Sequence, residues 1–129
     1  MNKSDVKLLI CDDSILARKS LDSQLRALGF EKIIEVANGQ DAVERYASER
    51  PDIVFLDIIM PLKDGITATK EIMEIDSSAN IIMASSVGTQ SHLREAIKAG
   101  AIDFIQKPIE AGLLEQILNQ CLTRIMERS

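Results

Sequence analysis

Three carboxylates, a pair of hydroxyls and one lysine recur in this sequence at the ends of short apolar runs. Asp12 and Asp13 follow Lys7-Leu8-Leu9-Ile10-Cys11, Asp57 closes Asp52-Ile53-Val54-Phe55-Leu56, Ser85 and Ser86 close the run from Asn80, and Lys107-Pro108 follows Asp103-Phe104-Ile105-Gln106. A lone Asp in such a place more often only terminates a strand. Three unpaired carboxylates brought together, however, repel and push one another's pKa upward. A divalent cation removes that conflict. Oxygen-only ligation by few carboxylates suits Mg²⁺, which keeps several waters and often binds together with a phosphate. An ammonium and a hydroxyl opposite it are suitable groups to hold phosphoryl oxygens.

These groups meet only if the elements before them bring their ends to one place. Five apolar runs of strand length, Lys7–Cys11, Lys32–Ala37, Asp52–Asp57, Asn80–Ser85 and Asp103–Gln106, alternate with five helical patterns. The helices read at Ser14–Leu28, Gly39–Ser48, Gly65–Ile75, Ser91–Ala99 and Ala111–Met126. Their apolar stripes are Ala17, Leu21, Leu25 and Leu28; Ala42, Val43, Tyr46 and Ala47; Ala68, Ile72 and Ile75; Leu93, Ala96 and Ile97; and Leu114, Ile117, Leu118, Cys121, Leu122 and Ile125. Gly29 is placed to cap the first helix, and Pro51 stops the second. Strands alternating with helices predict right-handed βαβ units and a parallel sheet covered on both faces. In such a sheet the carboxyl ends open onto one edge, where the crevice lies. The middle run, Ile53 to Leu56, is β-branched and aromatic and reads as a fully buried strand, after which Pro61 and Asp64-Gly65 mark the turn into the next helix.

The 129 residues, 46% hydrophobic and 27% charged, predict one globular domain over 1–129 with a proper core and exclude general disorder. Fifteen basic against twenty acidic residues leave a net charge of -5 and no basic patch, which argues against direct nucleic-acid binding. Cys11 and Cys121 lie on apolar faces without CxxC spacing, and His92 is the sole histidine, so a zinc site is not expected. No signal-peptide pattern and no membrane-length apolar run is seen, so a cytoplasmic protein without a membrane span is expected.

Asp12-Asp13, Asp57 with Met60-Pro61 and Asp64-Gly65, Ser85, and Phe104 with Lys107-Pro108 together resemble the receiver domain of two-component response regulators, especially the single-domain CheY-like kind. The resemblance runs from Lys7 to the last helix and implies a flavodoxin-like doubly wound α/β sheet of order 2-1-3-4-5. It implies that Asp57 accepts a phosphoryl group from a histidine kinase, that Asp13 binds Mg²⁺ (or Mn²⁺) directly and Asp12 directly or through water, and that Asp57 and the Ile59 backbone carbonyl complete the ligands. Lys107 would pair with the phosphoryl group, Ser85 would move to hydrogen-bond it, and Phe104 would rotate inward. The Lys107-Pro108 bond is expected to be cis. A downstream protein would be met through helix 4, strand 5 and helix 5, with Gln90, His92, Arg94, Glu95 and Lys98 as surface residues of that fourth helix. The resemblance implies no enzyme beyond its own phosphorylation and dephosphorylation.

Two positions depart from the best-known chemotaxis pattern: Ile59 and Val87 are apolar where many relatives carry a polar residue beside the attacking water. Slow autodephosphorylation is the expectation. Phe104 lacks the hydroxyl of a tyrosine. A haloacid-dehalogenase-type phosphohydrolase would want its nucleophile in a DxD motif after the first strand, whereas Asp57 stands alone later. A flavin or nucleotide carrier would want glycines in the first turn, and Asp12 to Ser20 contains none. A receiver part of a longer transcription factor or methylesterase stays open beside the chemotaxis reading.

Overall fold

The β-branched runs form strands and the 3.6-residue stripes form helices, in strict alternation. The computed structural model describes residues 2–86 and 90–128. After a 3-10 turn at Lys3–Asp5 come β1 (Lys7–Cys11), α1 (Ile15–Ala27), β2 (Lys32–Val36), α2 (Gly39–Glu49), β3 (Ile53–Leu56), α3 (Gly65–Ile75), β4 (Ile81–Ser85), α4 (Gln90–Ala99), β5 (Asp103–Gln106) and α5 (Ala111–Arg128). All pairings are parallel, in the order β2-β1-β3-β4-β5. This is the doubly wound fold that the sequence predicts.

Element ends differ from expectation by a residue or two, for local reasons. Asp52 lies just outside β3, its carboxylate taking the Lys7 amide at 2.9 Å, and Asp57 lies beyond the other end while still donating its amide to the Cys11 carbonyl at 3.0 Å. Ser14 is not the first residue of α1 but its cap, accepting from the Ala17 amide at 3.2 Å. The other end of α1 closes in a Schellman motif: Gly29 (φ 106°) donates to Arg26, and Phe30 donates to Leu25.

The sheet separates two half-cores, and alternate strand residues serve each. Leu8, Ile10, Ile53, Phe55, Ile82, Ala84 and Ile105 pack with α1 and α5 residues such as Leu25 and Leu118. Leu9, Cys11, Val54, Leu56, Ile81 and Met83 pack with Tyr46, Ile72 and Ala96 on the opposite side, where Phe104 also lies.

The stripes of α1, α3 and α5 face these cores as expected. Two others need correction. Ala47 of α2 is exposed, and on α4 the buried residues are Ala96 and Ala99, while Leu93 and Ile97 are 39% and 48% exposed. The line that seats α4 is made of small side chains, and the larger aliphatics are left outside.

Candidate functional site

Register brings the acids together. Cys11 pairs with Leu56, so the next residues, Asp12 and Asp57, emerge side by side. Asp13 follows Asp12, and the three carboxylates offer oxygens that all lie within 4.8 Å of one another. From the neighbouring strands, Ser85 pairs with Gln106, and Lys107 donates its amide to the Ser85 carbonyl at 3.0 Å. The chain then turns through a cis Lys107-Pro108 bond, as the resemblance implied.

Lys107 reaches back across the edge. Its Nζ lies 3.0 Å from Asp57 Oδ2 and is hydrogen-bonded to Asp12 Oδ2. Burial works to lower the lysine's pKa, but the bonds to Asp12 and Asp57 outweigh it and hold the ammonium above its ordinary value. It is therefore a fixed positive charge at any ordinary pH. Asp12 is buried, with Oδ1 taking the Ser14 amide at 2.9 Å. Among the described residues, Asp57 Oδ1 has only a long contact, 3.4 Å, to the Ile59 amide. Asp13 is exposed. Cys11, just behind, is pushed up to about 12, first by burial and then by the charges of Asp12 and Asp57, so it stays a thiol.

The loop after Asp57 is braced by α3. Asp64 caps that helix, its carboxylate accepting from the Thr67 amide and hydroxyl at 2.8 and 2.9 Å. A side chain at Gly65 would run into the Asp57 carbonyl, so only glycine lets the helix start directly behind the end of β3. Between them Leu62 sits exposed with a left-handed backbone, φ 68°.

Asp12, Asp13, Asp57 and Lys107, all expected at the site, form one cluster. Ser85 is 1% exposed at the end of β4, and Phe104 is half-buried on β5. Ile59 is 61% exposed at the mouth. Val87 lies outside the described residues. His92 and Glu95 line a groove with Ile58, Met60 and Thr67, between α4 and the loop after β3. Sequence reasoning misses two further residues, Gly65 and Arg18. The Asp-Gly pair signals a turn but not the close approach, and nothing in the spacing of Arg18 reveals that its Nη1 donates to the Asp12 main-chain carbonyl.

The donor set fits a hard cation: three carboxylates, no nitrogen or sulfur ligand among the clustered groups, and one acid exposed to solvent. The model for the response regulator receiver domain matches residues 8–119. The chain belongs to that family. A chemotaxis protein CheY of Bacillus subtilis is 47% identical over 116 residues, 90% of this chain and 97% of that protein. A protein-glutamate methylesterase/protein-glutamine glutaminase of Methanococcoides burtonii is 35% identical over 93% of this chain and 35% of its own length. Among solved structures, a CheX-CheY-BeF3-Mg²⁺ complex from Borrelia burgdorferi contains a chain 36% identical with a TM-score of 0.86, covering 91% of this chain and 89% of that one. Receiver domains bind Mg²⁺ at an acidic pocket of this kind and accept a phosphoryl group on an aspartate. No helix among the described residues is long and apolar enough to cross a membrane.

Proposed function

We propose that Asp57 is the phosphoryl acceptor of a two-component switch, supplied by a histidine kinase and read by a protein partner in a chemotaxis-type pathway. The convergence of the Asp12, Asp13 and Asp57 oxygens within 4.8 Å, with the Lys107 ammonium on Asp57, carries this reading. Mg²⁺ held by Asp12, Asp13, Asp57 and the Ile59 carbonyl would neutralise charge on the phosphoryl oxygens.

The chemistry of the chain's own residues follows. An Asp57 carboxylate oxygen attacks phosphorus, the P–N bond to the kinase histidine breaks, and the electron pair leaves with the imidazole nitrogen, which regains a proton. The product is an acyl phosphate, a known class of covalent intermediate. Oδ1 is the less engaged oxygen of Asp57 and is the natural nucleophile. Lys107, fixed and charged, stabilises the transferring group. The chain acts as a stoichiometric acceptor that catalyses only its own loading and unloading.

Ser85 stands at the end of β4, one residue past the level of Asp57, where its hydroxyl can meet a phosphoryl oxygen. Phe104, on the neighbouring strand, responds by turning inward. The output face is that of α4, β5 and α5. The exposure of Leu93 and Ile97, one turn apart on α4, and of Leu113 on α5 gives it apolar anchors, with charged Arg94 and Lys98 beside them.

Intact mass after incubation with acetyl phosphate and Mg²⁺ tests the acceptor. The parent is expected to gain one phosphoryl group, and Asp57→Asn none, with chelation of the metal abolishing the gain. Equal gain by Asp57→Asn, or no gain by the parent even from a phosphorylated kinase, would overturn the assignment.

A further inference from the structure

The loop that carries Asp12 and Asp13 is held by a residue outside the acidic cluster. Arg18, on the first turn of α1, donates from Nη1 to the Asp12 main-chain carbonyl at 2.6 Å. Its Nε lies 3.4 Å from Glu35 Oε1 on β2, and the other oxygen of Glu35 holds Lys19 at 3.2 Å. The Arg18 and Glu35 side chains are only 15% and 21% exposed, so the guanidinium ties the loop after β1 to β2 from a largely enclosed position.

The grip falls where the site has least support. The Asp12 carboxylate is held by the Ser14 amide and by Lys107. The Asp13 carboxylate is exposed, and no described residue donates to it. Its direction is therefore set by its backbone, beginning with the planar peptide that joins it to Asp12. The oxygen of that peptide is the one that Arg18 holds.

We propose that Arg18 is a positioning residue of the cation site: it fixes the Asp12–Asp13 peptide plane and so presents Asp13, while Glu35 fixes the guanidinium. The inference rests on reading the acidic cluster as a Mg²⁺ site. It also runs against simple electrostatics. A guanidinium beside three carboxylates repels a cation, so its loss alone makes Mg²⁺ bind more tightly. Loss of positioning makes Mg²⁺ bind more weakly, by about 10-fold as for other groups that orient metal ligands. The two effects have opposite signs.

Calorimetric titration of Mg²⁺ into the parent, Arg18→Met, Arg18→Lys and Glu35→Gln, at one ionic strength, separates them, with urea unfolding of each protein in EDTA to check the fold. The Kd of Arg18→Met is expected to rise about 10-fold. Arg18→Lys should recover part of this, since an ammonium can reach the carbonyl but cannot also keep the planar contact with Glu35. Glu35→Gln should show a smaller rise. An unchanged or lower Kd in a folded Arg18→Met overturns the role. If that variant does not fold, Glu35→Gln and Arg18→Lys decide in its place, and an unchanged or lower Kd in both overturns the role. A parent that binds no Mg²⁺ overturns the underlying site, whereas normal binding by parent and variants alike overturns only the part given to Arg18.

Discussion

Neutralising Asp13 is expected to stabilise the metal-free protein while removing most of what Mg²⁺ adds. Two unit charges 4.8 Å apart, the outer limit within the cluster, repel by about 0.9 kcal/mol in bulk water and about 3.5 kcal/mol at an effective dielectric near 20. Asp13 is exposed, which favours the lower figure, and Lys107 offsets part of the charge on its two neighbours. A net gain of about 1 kcal/mol is therefore expected for Asp13→Asn in EDTA. Adding Mg²⁺ to about 100 times its Kd stabilises the parent by about 2.7 kcal/mol through binding to the folded state alone. The variant, lacking its most exposed ligand, is expected to gain less than half of that. Urea unfolding of both proteins, with EDTA and with Mg²⁺, reads all four values at an unchanged m-value. The parent then lies below the variant without metal and above it with metal. A variant less stable in EDTA would show that Asp13 serves the fold, and an equal gain from Mg²⁺ in both would remove it from the ligand set.

Other substitutions probe the mouth of the site. Ile59→Asn places an amide where the exposed isoleucine now stands beside Asp57, and phosphate is expected to leave the acceptor several-fold faster in a decay assay; an unchanged lifetime sinks the idea that apolar groups there shield it. Leu62→Gly relieves a left-handed backbone at an exposed residue and is expected to raise stability by about 1 kcal/mol, read as a higher urea midpoint. Asp64→Ala removes the cap of α3 and is expected to cost about 1 kcal/mol at neutral pH. Burial works to raise the Asp64 pKa, but the Thr67 hydrogen bonds outweigh it and hold the carboxyl below its ordinary 3.8. Its contribution is thus complete above that value and is lost as pH falls through the lower folded one. The gap between parent and variant should therefore narrow in acid and not in base, as unfolding curves at pH 7 and pH 3 will show.

The edge of the sheet is legible in the sequence because each strand ends where an apolar run meets a polar residue. The parallel pairing of Cys11 with Leu56 then makes Asp12 and Asp57 neighbours. Asp12, Asp13, Asp57 and Lys107 can be read together for that reason. The face of α4 is harder to read. Leu93, Ala96 and Ile97 have helical spacing, yet the buried line is the pair of small residues Ala96 and Ala99, which hydrophobicity alone does not single out. Arg18 escapes notice for a different reason: its partner is a main-chain carbonyl, and any residue supplies one. Gly65 reads as a turn former, whereas its lack of a side chain makes room for the Asp57 carbonyl, a contact that depends on how α3 sits against β3.

The sheet also sorts the site by side. Asp12 and Lys107 border a cavity floored by Ile10, Phe55 and Ala84, on the α1 and α5 side. Ser85 follows the alternation of Ile81 and Met83, and Phe104 packs in the other half-core with α3 and α4. The groups that would write the phosphoryl mark and those that would read it therefore lie on opposite faces of the sheet and meet at the edge where Asp57 stands. Substitutions in the core beneath α3 and α4 would therefore act on Ser85 and Phe104 without touching the residues packed around Asp12 and Lys107.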